Sequence, residues 1–89
     1  MNIILVSYDL HRPGKDYEKL WEHLKSYAWA KPLESLWLVK TTYSAEQIRD
    51  DVINYIDQND SVFVADITRM TTAWKNIPDE VARWIKMKP

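Results

Sequence analysis

The sequence contains no cysteine. Disulfides, thiol nucleophiles and cysteine-ligated metals are therefore excluded from any account of its chemistry. Glycine occurs once, and no stretch has the composition of a linker. Long hydrophobic runs are missing too. The first apolar run, Ile3 to Val6, is much too short for a signal peptide or a membrane span, so a cytoplasmic location is the default expectation. No basic excess exists: the formal net charge is -1 and the pI is about 6.1. Proteins that hold nucleic acid by general electrostatics carry such an excess, so any nucleic-acid contact must rest on a local patch. Internal repeats and low-complexity segments are absent.

What remains is 89 residues, 46% of them hydrophobic, with five tryptophans and five tyrosines. That length predicts a single domain over residues 1–89. A domain this small leaves much of its surface uncovered. Aromatics bury large areas in cores and at interfaces, so composition favours pairing with a second copy.

Asn2 to Tyr8 is a β-branched and aromatic run that reads as a strand with Asp9 at its carboxyl end. Pro13-Gly14 marks a turn in the loop that follows. From about Asp16 the period changes. Tyr17, Leu20, Trp21, Leu24 and Tyr27 recur at helical spacing, with Glu18, Lys19, Glu22 and Lys25 on the other face. Ala28 to Pro32 reads as a connector, with Pro32 suited to a strand start or an edge. Leu33 to Thr41 reads as a strand, and a kink near Pro32 would split it into an edge piece and a longer strand. Ser44-Ala-Glu-Gln47 fits a capping box, and Ile48, Val52 and Ile56 carry the helix to about Asp57. Ser61 to Thr68 alternates as a strand. Pro78, Asp79 and Glu80 open a last helix through Val81, Trp84 and Ile85.

The order is β-α-β-α-β-α, with the middle β region readable as a bent pair. Helices alternating with strands imply an α/β domain, an α+β sandwich with helices packed on a sheet. Both faces of the first strand are apolar, Ile3 and Leu5 on one, Ile4 and Val6 on the other. The helices between the strands cover one face. The other needs the last helix or a second copy.

Asp9 is the sharpest candidate for chemistry, because it ends a buried-looking strand and opens a loop. Magnesium sites often use one or two carboxylates completed by water and phosphate. The competing reading makes Asp9 an acceptor of backbone hydrogen bonds in the following turn, and on the residues alone that reading is favoured. Asp66, on the face of Val62 and Val64 by alternation, fits a groove beside Asp9 or, the preferred reading, an exposed sheet edge. His11 has the chemistry of a metal ligand or proton carrier but no second histidine nearby. It and His23 read as solvated. Arg12, Lys15, Lys31, Lys40, Arg69 and Lys75 are the cations nearest loops and strand ends, where they would contact phosphate if gathered. Trp29, Trp37 and Trp74 suit base stacking or, more commonly, packing.

The segment Ile4-Leu-Val-Ser-Tyr-Asp-Leu10, the helix after it, Ser35-Leu-Trp-Leu38, a second helix and Asp60-Ser-Val-Phe-Val64 together resemble CRISPR-associated protein 2 over roughly residues 1 to 68. VapD-type toxin ribonucleases share the plan. The resemblance implies a ferredoxin-like βαββαβ domain, here with an extra C-terminal helix, and a homodimer formed through the sheets. It implies a metal-dependent endonuclease, or a non-catalytic structural partner of an integrase. By it, Asp9 matches the family's metal-associated aspartate, with Mg2+ as cofactor, and Ser35 and Trp37 match its middle-strand serine and aromatic. Arg12, Lys15 and Lys40 are then the expected nucleic-acid contacts. The chain departs from the pattern at Leu38 and Val39, where a glutamate is usual, at Lys31-Pro-Leu-Glu34, and in lacking a second acidic residue in His11-Arg-Pro-Gly14. A non-catalytic protein- or nucleic-acid-binding adaptor and a small-molecule sensor are the alternatives on the same fold. The sensor requires an apolar pocket against the sheet.

Overall fold

A computed structural model describes residues 1–11 and 17–87. Along these the chain forms β1 (Asn2–Asp9), α1 (Glu18–Leu24), β2 (Ala28–Leu33), β3 (Leu36–Thr41), α2 (Ala45–Val52), β4 (Ser61–Asp66) and α3 (Asp79–Lys86). The strands make one antiparallel sheet in the order β2-β3-β1-β4. α1 links β1 to β2 with β3 between them, and α2 links β3 to β4 with β1 between them. These interleaved split units are the ferredoxin-like α+β sandwich, and α3 is the expected addition.

The stretch expected to be a connector is an edge strand instead. Ala28 pairs with Lys40, Trp29 with Val39 and Ala30 with Leu38, before the register shifts between Ala30 and Leu33. That bulge accommodates Pro32, which has no N–H for the ladder. The bend foreseen near Pro32 is a full hairpin, turning at Glu34 and Ser35. α1 is shorter than its periodicity, and α2 tightens into a single narrower turn over Ile53–Tyr55. The capping box forms as expected: the Ser44 hydroxyl accepts from the Gln47 N–H, and the Gln47 side chain accepts from the Ser44 N–H.

Alternation along β1 sends Ile4, Val6 and Tyr8 toward α1 and α2, where they join Trp37, Val39, Leu20, Leu24, Ile48 and Val52 in a buried core. At its centre the Tyr8 hydroxyl accepts two indole N–H groups, from Trp21 and Trp37, each at 3.0 Å. This arrangement satisfies the polar atoms of the buried Tyr8 and Trp37, while the Trp21 ring stays partly exposed. The other sheet face carries Ile3, Leu5, Leu36 and Leu38. The chain after β4 folds back across it: the Ile67 N–H donates to the Ile3 carbonyl at 2.9 Å, and the Ile3 N–H donates to the Thr68 hydroxyl at 2.9 Å. α3 then lies against β2, yet contributes no fully buried residue. Among the described residues no helix is long and apolar enough to cross a membrane.

Candidate functional site

Asp9 stands at the last position of β1, opposite Ser61 of β4. The strand behind it is anchored by the fully buried Ile4 and Val6, so its position is set by the core, while the residue itself is exposed. Among the described residues nothing donates to its carboxylate, and no three His, Asp or Glu side chains are grouped to hold a metal ion. Among the described residues Asp9 is thus the carboxylate without a partner at this end of the sheet, where Asp57 and Asp60 also lie. That fits magnesium only where phosphate, water or another chain supplies the remaining oxygens.

The turn reading makes Asp9 an acceptor for the loop that follows, and residues 12–16 of that loop lie outside the described residues; a second acceptor at this end is Asp60. Its Oδ1 accepts from the His11 N–H at 2.7 Å, its Oδ2 accepts from the Asp57 N–H at 2.7 Å, and the Tyr17 hydroxyl reaches both oxygens at 3.1 and 2.9 Å. Asp60 therefore ties the end of β1, the entrance of α1 and the turn before β4 together. An Asp in a turn accepting N–H groups is common, and the Asn59-Asp60 pair was readable as a turn. The long-range partners His11 and Tyr17 were not. His11 is exposed and beside Asp57 and Asp60 in a shallow polar hollow.

The expected cations do not gather around Asp9. Arg12 and Lys15 lie outside the described residues. Lys40 pairs with Ile3, six residues back along β1, which puts it about 20 Å from Asp9 at the usual strand rise. Its ammonium sits 4.5 Å from the Trp84 ring centre, on the α3 side of the sheet. Lys31 caps Trp37 at 5.2 Å on the edge strand. Arg69 and Lys75 line the space beneath the segment that crosses the second face. Asp66 pairs with Ile4, also remote from Asp9, and is exposed as the edge reading required. Hydrogen bonds from the Thr68 hydroxyl and N–H hold its carboxyl below the usual range. Trp37 is core, Trp29 packs on it with centroids 5.2 Å apart, and Trp74 is half-exposed.

A second polar centre lies at the opposite end of the sheet from Asp9, and the sequence reading missed it. His23, read as solvated, is half-buried: its Nε2 is bonded to Asp51 Oδ2 and its ring stacks on Tyr55 with centroids 4.5 Å apart. The Tyr27 hydroxyl donates to the same Asp51 oxygen at 2.7 Å. Burial pushes the Tyr27 phenol well above its ordinary value, aided by its bond to Asp51 and that group's charge. Burial alone would also raise Asp51, but the bonds from Tyr27 and His23 and the histidine's charge outweigh it and bring the carboxyl below its usual value. The i, i+4 spacing of His23 and Tyr27 was visible on the helix pattern. Its register with Asp51 on α2 was not. By its bonds from His23 and Tyr27 to Asp51, this centre is a brace between α1 and α2.

No family model matches the sequence, and no solved structure matches the chain.

Proposed function

We propose that the chain is a cytoplasmic, nuclease-like homodimer of the CRISPR-associated protein 2 type. It engages nucleic-acid phosphate at the Asp9 end of β1, and any metal-dependent cleavage requires the Asp9 of both copies. The observation that carries this reading is Asp9 itself: an exposed carboxylate, free of described partners, at the end of a strand fixed by the core. Two such carboxylates near a two-fold axis repel, and a divalent ion relieves that repulsion. Magnesium held there would neutralise phosphate charge and make a bound water more acidic. Asp60 anchors His11 and Tyr17, the described residues on either side of 12–16 in the sequence.

The contrast between the two sheet edges supports pairing through β4. β2 is guarded by its bulge, Pro32 and the exposed Lys31. β4 runs in unbroken register with β1, has no proline, and exposes Phe63 at 68%. Unprotected edges of this kind suit strand or face pairing with a second chain.

A non-catalytic adaptor is the second reading. It is favoured because, among the described residues, no three His, Asp or Glu side chains are grouped to hold a metal ion. Labelled single- and double-stranded RNA and DNA, incubated with magnesium, manganese or chelator, separate the two. Cleavage abolished by Asp9→Asn and by chelator supports the paired-metal site. Cleavage that persists in either refutes the metal role. Binding without cleavage by the wild type favours the adaptor.

A further inference from the structure

The second face of the sheet is covered without being filled. Two cavities flank α3. One, of about 580 Å3, has Ile3, Met70 and Trp84 in its wall. The other, of about 300 Å3, has Leu5, Leu36, Trp74 and Ile77. Both are lined by Leu38, Ile67, Thr72 and Ile85, so they are the two ends of one trough between the sheet and the segment crossing it. Protein interiors are normally packed as densely as organic crystals. A trough of this size, walled by Leu and Ile, lies in the range of small-molecule sites.

Its charge is one-sided. The sequence has 13 acidic residues and 12 basic ones, yet among the described residues no Asp or Glu lines either cavity. Arg69 and Lys86 line the larger end and Lys75 the smaller. Arg69 also holds a left-handed backbone, φ 60°, which is uncommon for a long side chain and is found where the surroundings impose it, ligand clamps included. An apolar wall with only cations at its ends complements an apolar body carrying one negative group. A polyanion such as nucleic acid matches the cations but not the wall.

We propose that this trough binds an alkyl carboxylate, a fatty acid of medium length, with its carboxylate at Arg69 and Lys86 and its tail running toward Leu5, Leu36 and Ile77. The site is independent of Asp9.

The test is titration of decanoate, below its micelle concentration, into the isotope-labelled full chain by NMR. Saturable one-to-one binding in the sub-millimolar range is expected, with shifts centred on Leu38, Thr72 and Ile85. Decanol should bind at least tenfold more weakly and decylammonium not at all. Arg69→Gln with Lys86→Gln should weaken decanoate about tenfold, and Lys75→Gln less than threefold. Ile85→Trp should fill the trough and abolish binding. Leu36→Phe serves the same purpose if that variant fails to fold. Four results overturn the proposal: no saturable shifts, equal binding of decanol or decylammonium, many ligands per chain, or charge variants that bind like the wild type. Shifts of these residues that follow protein dilution rather than decanoate would place a second copy in the trough, and that too overturns it.

Discussion

The two faces of the sheet are made from the same strands and differ in how they are closed. On one, Ile4, Val6, Tyr8, Trp37 and Val39 meet α1 and α2 in one buried cluster. On the other, Ile3 and Leu38 are buried, but beneath a segment whose helix buries none of its own residues fully and leaves a cavity on either flank. Connectivity explains the difference. α1 and α2 are each tethered at both ends to strands, so their apolar stripes are held against the sheet. α3 is reached through an irregular segment, 67–78, with left-handed turns at Arg69 and Asn76. The first face makes the fold, and the second is the side on which a ligand can be added.

The largest effect that would separate the faces is Leu20→Ala. Leu20 is fully buried, and its truncation should cost about 2–5 kcal/mol in chemical denaturation. A loss under half a kcal/mol would mean the helix face is not the core. The matching change on the other side, Ile85→Ala, removes a partly buried residue and should cost about 1 kcal/mol. A loss equal to that of Leu20→Ala would erase the distinction. A smaller effect depends on pH. Because the Asp51 carboxyl lies below its ordinary value in the folded protein, it contributes stability above the unfolded value of about 3.9, and that contribution disappears as the pH falls through the folded value. Asp51→Asn should therefore be less stable than wild type at pH 7 and converge on it in acid. A gap that stays constant with pH would remove the charge from the α1–α2 brace. The smallest effect belongs to Lys40→Ala, which strips the cation from Trp84 and should cost about 0.5 kcal/mol. A cost several times larger would show that α3 is pinned more firmly than its exposure implies.

The same contrast explains what could be read before the structure. A β-branched run marked β1, alternation marked β4 and helical spacing marked α2 and α3, because each is a local pattern, and the capping box fixed the start of α2 to the residue. β2 was missed because an edge strand with a bulge and exposed Trp29, Lys31 and Leu33 shows no clean alternation. Asp9 was placed correctly at the end of β1, since a strand end is a local property. Lys40 was grouped with it only by nearness to a strand end, and register puts the two at opposite ends of β1. Asp60 and the His23–Tyr27–Asp51 centre depend on pairs 24 to 49 residues apart, which only the packing of α1, α2 and the β4 entrance defines.

Completion of the molecule by a second copy is the claim on which the proposed function rests. Light scattering of the wild-type chain across the micromolar range tests it most directly. The account predicts a mass about twice the 10.6 kDa of one chain, falling to a single chain in Phe63→Glu. A wild-type mass of one chain throughout that range would contradict it, leaving each Asp9 alone.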